Sequence, residues 1–241
     1  MVGVRAILVV TCALAGCPFE HGVVGQTTGD AGTSHADASG ADGHGGLDGR
    51  QFLDAPVQGS LVVTHDTLGD GDTTLSTEGT ADWAHWGMSS ATTFDHAASG
   101  GKISDITVVG SSFQTRVYNI SVTASWTNGT PDATASQIGT GTGTNSPGAL
   151  VLTVPAGVAS HTLKMYVGGR ASHGQLDLTL SDASAGPYSN ADYSGGGAYH
   201  AYYTIVYNAA SDGQTLNVSW SDLGDTTATN DYVMIMSATL Q

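Results

Sequence analysis

The stretch Leu176-Asp177-Leu178-Thr179-Leu180-Ser181 alternates apolar and polar residues at every step. In an extended chain that period of two puts the leucines on one side and Asp177, Thr179 and Ser181 on the other. The same alternation returns in Leu216-Asn217-Val218-Ser219-Trp220 and in Ile120-Ser121-Val122-Thr123-Ala124-Ser125-Trp126, with shorter versions over 149–154 and 161–167. Each predicts a strand with one face on a core. The C-terminal run 232–240 is apolar on both sides and predicts a strand covered on both faces. Asn128-Gly129, Pro155-Ala156-Gly157, Gly168-Gly169 and Ser211-Asp212-Gly213 supply turn chemistry between these runs. No segment sustains a helical period with caps.

Composition points the same way. Among 241 residues, 34 are Gly and only 11% are charged. Gly, Ser and Thr are poor helix formers, which argues against a helical bundle. Asp and Glu number 21 against 6 Lys and Arg, a formal net charge of −15. The basic stripe that a nucleic acid requires is therefore missing. The reading is all-β: an antiparallel β-sandwich, jelly-roll-like, with roughly ten to twelve strands over 57–241. Two smaller immunoglobulin-like domains are the alternative, on the echo between 120–126 and 216–220. Their boundary would fall in the Gly/Thr stretch 139–148.

The N-terminus has its own pattern. Arg5 precedes an apolar run over 6–14, interrupted by Thr11 and Cys12. That run is shorter than the roughly 20 residues a membrane-spanning helix needs. It ends in Leu14-Ala15-Gly16-Cys17, which resembles the lipobox of bacterial lipoproteins. The resemblance implies a signal peptide over 1–16, cleavage after Gly16 and a diacylglyceryl thioether on Cys17. Cysteine usage agrees, because the chain has only 2 cysteines and Cys12 would leave with the signal. Losing Arg5 would take the net charge from −15 to −16. Pro18, rather than Asp, follows Cys17. By analogy with lipoprotein sorting, this implies attachment at the outer membrane, with the periplasmic and surface-facing orientations both open.

Residues 17–56 then read as a tether. Between 21 and 50 there are 9 glycines and no aromatic residue, too little apolar surface to offset ordering entropy. Its root-mean-square reach is on the order of 35 Å. His21, His35 and His44 alternate with Asp30, Asp37, Asp42 and Asp48. These are metal-ligand types, but a flexible Gly-rich segment does not hold them in fixed geometry, so a solubilising spacer is the simpler reading.

Three segments of the body carry candidate chemistry. Thr77-Glu78-Gly79-Thr80-Ala81-Asp82-Trp83-Ala84-His85-Trp86-Gly87 concentrates two indoles, an imidazole and a carboxylate. Indole faces stack on pyranose rings, and Asp82 and His85 can bond to hydroxyls, so Asp82, His85 and Trp86 form a candidate sugar platform. In the competing reading the indoles anchor the core. Three residues apart, they cannot share a strand face, which favours one in the core and the other against a neighbouring strand or loop. The second candidate is a loop over 183–198 presenting Tyr188, Asn190, Asp192 and Tyr193, against which stands a loose connection whose tyrosines fold back. The third is a calcium site from Asp66, Asp70 and Asp72 on a Gly-rich turn, although Asp-Gly pairs are also ordinary turn chemistry. No nucleophile elbow and no zinc-binding helix occurs, and Glu78 is the only Glu beyond residue 20. No catalytic residue is assigned.

The segment 77–87 also resembles β-sandwich modules of secreted bacterial proteins, some of them glycan-active. Val154-Pro155-Ala156, Thr162-Leu163-Lys164-Met165-Tyr166-Val167-Gly168 and Leu178-Thr179-Leu180-Ser181-Asp182 share the likeness, which covers most of 60–241. It implies a sandwich module and no catalytic role. The expectation is a lipid-anchored envelope protein whose non-catalytic sandwich binds carbohydrate or another surface ligand. A structural or adhesion protein acting through protein contacts is the alternative, and a hydrolase comes third. No cofactor is expected, calcium aside.

Overall fold

The computed structural model describes residues 58–117, 121–194, 197–224 and 231–241. The signal peptide, Cys17, the tether 17–56 and Ile120 lie outside the described residues.

The alternating runs become strands whose buried residues are the apolar ones. β13 (His173–Leu180) buries Leu176, Leu178 and Leu180, and β16 (Gln214–Asp222) buries Leu216, Val218 and Trp220. With β14 (Tyr188–Ser194), β11 (Ala149–Ala156) and β5 (Thr107–Val109) they form an antiparallel sheet ordered β14-β13-β16-β11-β5.

A larger sheet faces it. Its path runs through β1 (Ser60–Thr67), β15 (Ala198–Asn208), β12 (His161–Arg170), β17 (Tyr232–Leu240), β3 (Asp82–Trp86), β4 (Phe94–Ala97) and β8 (Gly129–Thr130). β10 (Thr140–Asn145) pairs with the first half of β17 and carries β6 (Gln114–Val117) on its other edge. A third, small sheet is built from β2 (Gly71–Thr74), β7 (Val122–Thr127) and β9 (Thr134–Ile138), with β2 and β7 parallel. The single turn of helix α1 (Leu75–Glu78) follows β2.

The two antiparallel sheets pack as a sandwich, and the small mixed sheet covers the other face of the large one. The first core lies between the five-stranded and large sheets, where leucines of β11, β13 and β16 meet Leu163, Met165, Tyr203 and Ile205. A second core lies on the opposite face of the large sheet. There Trp83, Tyr166, Met234 and Met236 meet Leu75 of α1 and Val122, Ala124 and Trp126 of β7. β17 serves both cores, which is why 232–240 is apolar on both sides. A register shift opposite Tyr166/Val167 leaves Met236 unpaired with β12 and changes the strand's phase. Val233 and Ile235 before it and Ala238 and Leu240 after it therefore reach the same core.

Two polar pins cross the first core. Trp220 Nε1 donates to the Gly168 carbonyl at 3.2 Å, and the Tyr207 hydroxyl donates to the Pro155 carbonyl at 2.9 Å. Each satisfies a group whose burial would otherwise be costly.

Several expectations are corrected here. The described residues hold 17 strands rather than ten to twelve, because pieces as short as β8, with 2 residues, are too brief to show a period. Gly168-Gly169 is not a turn but lies inside β12; a Cβ on Gly169 would stand 2.5 Å from the Tyr199 hydroxyl, so the glycine answers to close packing. The stretch 139–148 is not a long loop, since β10 runs through it with Gly141, Thr142, Gly143 and Thr144 buried. A Cβ on Gly141 would sit 2.7 Å from the Ile235 carbonyl, which again explains a glycine by backbone approach. The segment 183–198 contains β14, paired to β13, rather than being loop throughout.

Gly174 offers a test of the packing. A Cβ there would lie 2.4 Å from the Trp220 ring, which is wholly buried and pinned by its indole nitrogen. Gly174→Ala is expected to lower unfolding free energy by about 1–3 kcal/mol, read from urea denaturation.

Candidate functional site

β3 holds the Asp82-Trp83-Ala84-His85-Trp86 sequence between β17 and β4, and all five residues are buried. Alternation sends Ala84 and Trp86 to the first core and Trp83 to the second. Both indoles are thus core residues, in different cores. The expected platform of Asp82, His85 and Trp86 is corrected, because these side chains are at most 1% exposed. Trp86 stacks on Phe94 at 5.8 Å and 16°, and its Nε1 donates to Asp105 Oδ1.

Asp82 is occupied by backbone. Its Oδ1 accepts the Trp83 N–H, and its Oδ2 accepts the N–H groups of Gly101, Lys102 and Ile103 at 3.1, 2.7 and 2.9 Å. The carboxylate therefore latches the segment after β4 onto the start of β3. Gly100 permits the approach, since a Cβ there would fall 1.9 Å from Asp82 Oδ1.

His85 belongs to a polar row that sequence reasoning missed. It pairs with Ser237 of β17 on one side and Asp95 of β4 on the other, so the three side chains share one face. All are fully buried. Neither nitrogen of His85, nor Ser237 Oγ, nor Asp95 Oδ2 makes a well-formed hydrogen bond. Burial pushes the imidazole down to about 3, with the Thr140 backbone acting in the opposite direction, and the ring is neutral. It packs beside Trp126 at 4.9 Å. Burial pushes Asp95 up to about 6, although its Oδ1 accepts the Asp132 N–H. Serine, histidine and carboxylate here stand side by side without the bonds that would link a nucleophile to its base, and without solvent contact.

A second cluster joins α1 to the large sheet. Glu78 accepts from Lys164 Nζ at 2.7 Å, from the Tyr166 hydroxyl and from Thr239 Oγ1 at 3.2 Å. Lys164 also lies 4.7 Å from the Tyr202 ring centre. Burial, with Glu78 adding to it, pushes Tyr166 up to about 12. The signal for this cluster was in the composition: a body with one glutamate and few lysines uses them for a specific contact.

The opening beside these groups is a cleft of about 220 Å³ lined by Ser76, Gly79, Thr80, Ala81, Asp82, Trp83, Ala97, Ser99, Thr127 and Asn128. Thr80, Ser99, Thr127 and Asn128 are its exposed rim, and buried Trp83 and Ala97 belong to its wall. Of the platform expected from sequence, Asp82 is the residue that reaches it. Gly79, Thr80, Ala81 and Trp83 belong to the same 77–87 motif, while Ser76, Ala97, Ser99, Thr127 and Asn128 lie outside it and are brought in by folding.

The remaining candidates fall elsewhere. Tyr188, opposite Leu178, packs against the first core, and Asn190, opposite Leu176, is half-buried. The side chains of Asp192 and Tyr193 lie outside the described residues. Asp66 caps its neighbour's N–H and Asp72 accepts from Thr123 Oγ1, while Asp70 is exposed. The calcium reading gains no support from this geometry: among the described residues no three His, Cys, Asp or Glu side chains converge as a metal site.

The buried row has a pH signature. The native state refuses His85 the proton that the unfolded chain takes near 6.5, so this contribution to stability falls as pH drops below 6.5. Asp95 holds a proton in the native state below about 6 that the unfolded chain keeps only below 3.8, so its contribution rises as pH falls through that window. Between about 4 and 6 the two slopes oppose and nearly cancel. Relative to the unsubstituted chain, Asp95→Asn should lose stability with falling pH at about 1 kcal/mol per unit, and His85→Gln should gain it similarly. Denaturant unfolding between pH 4 and 6.5 reads both slopes.

No protein-family model and no curated protein matches the chain. Solved structures similar to it include TmCBM61 in complex with beta-1,4-galactotriose, at 12% identity over 57% of this chain and 88% of that one, TM-score 0.35. Another is the enzymatically active domain of tailspike protein 4 of bacteriophage CBA120, at 9% identity over 58% of this chain and 20% of that one, TM-score 0.36. At such identities and scores, neither likeness bears on what this chain does.

Proposed function

We propose that this chain is a lipid-anchored, non-catalytic β-sandwich of the bacterial cell envelope that binds carbohydrate in the Asp82–Trp83 cleft. The cleft carries the reading. Hydroxyl and amide groups of Thr80, Ser99, Thr127 and Asn128 surround a wall that includes an indole. The rim offers hydrogen bonds to sugar hydroxyls, while the indole, 2% exposed, backs the wall rather than presenting a ring face. The buried state of the Ser237-His85-Asp95 row favours a binding role over a hydrolytic one. The Leu14-Ala15-Gly16-Cys17 sequence supports anchoring through Cys17 at the outer membrane, with 17–56 as tether. Several acyl chains on one cysteine would hold the protein stably to the lipid.

The full chain carrying Cys17→Ser should move from the membrane to the soluble fraction and bind glycans on an array. Adding Ser99→Trp, which fills the rim from an exposed position, should abolish that binding. Membrane retention of Cys17→Ser would refute the anchor, and an array without binding would refute the carbohydrate reading.

A further inference from the structure

The lining and charge of the cleft narrow its ligand, on the reading that it takes carbohydrate. Its walls are joined to one another by hydrogen bonds. Ser76 Oγ accepts the Thr127 N–H at 3.2 Å, tying α1 to the end of β7. The Ala98 N–H donates to the Asn128 carbonyl at 2.8 Å, tying the end of β4 to the turn after β7. Asp82 ties the start of β3 to 101–103. These ties fix the lining segments relative to one another. The cleft opens to solvent at the rim of Thr80, Ser99, Thr127 and Asn128.

The lining also fixes the sign of charge. Asp82 is its only ionisable residue, and both carboxylate oxygens are already held by backbone N–H groups. These bonds hold the carboxylate in place, and its negative charge stays beside the cleft. No Lys, Arg or His lies in the wall to pair with an acidic ligand. A uronate, sulfate or phosphate would give up solvation and meet a like charge.

We infer that the cleft takes uncharged sugar residues and discriminates against acidic ones. The test uses the full Cys17→Ser chain in calorimetric titrations. Its probes are glucose, galactose, mannose and N-acetylglucosamine, with glucuronate and galacturonate as acidic counterparts. A neutral monosaccharide should bind, its uronate should bind at least about tenfold more weakly, and Ser99→Trp should remove the neutral binding. Thr80→Lys, which sets a cation on the exposed rim, should narrow the ratio of neutral to uronate affinity several-fold, whatever neutral binding the lost hydroxyl costs. Equal or tighter binding of a uronate overturns the inference. So does preference for acidic over neutral glycans on the array, or neutral binding that survives Ser99→Trp; in these cases the broader carbohydrate reading can still stand. Absence of binding to every monosaccharide and every arrayed glycan overturns both.

Discussion

Strand β17 has no solvent-facing side, and that constraint organises the fold around it. Its backbone is paired along one edge by β12 and along the other by β10 and then β3. Its side chains supply both cores, and eight of its nine residues are buried. A strand in this position must be apolar on both faces. It must also change phase once to keep Val233, Ile235, Ala238 and Leu240 on the leucine-rich side, and the unpaired Met236 does this. The flexible, unbranched methionine suits an irregular gap. The small sheet and α1 follow from the same constraint, because the second face of β17 needs a cover.

Two-sided burial carries a cost that the structure concentrates next to β17. β3 lies in the interior with it, so Asp82 and His85 are carried inside by register rather than by their own chemistry. Asp82 is compensated by four backbone donors and becomes a latch. His85, Ser237 and Asp95 are left with unpaired polar atoms, an arrangement that opposes folding. The same register brings the start of β3 to the surface region where Ser76, Ser99 and Asn128 converge, so the cleft is a product of the latch and the strand order together.

The large elements were readable in the sequence because their burial is one-sided or complete. Leu176, Leu178 and Leu180 alternate visibly, and 232–240 is visibly two-sided. β10 was not readable: Thr140-Gly141-Thr142-Gly143-Thr144 has no bulky residue to mark a face, and its glycines serve approach to Ile235. Gly168-Gly169 misled for the same reason. At the candidate site, sequence proximity drew Asp82, His85 and Trp86 together, but three-dimensional burial separated them from solvent. The rim residues Ser99, Thr127 and Asn128 carry no motif and meet only through folding. Their polarity is ordinary for turns, so nothing local distinguishes them.

Native-state hydrogen exchange followed residue by residue tests the central claim most directly. If β17 is the two-faced centre of the fold, the amides of Tyr232–Leu240 that pair with β12, β10 and β3 exchange only through global unfolding. They should then be among the slowest in the chain, well behind the edge strands β1 and β14. Exchange of the β17 amides through local opening, at rates like those of the edges, would contradict the account.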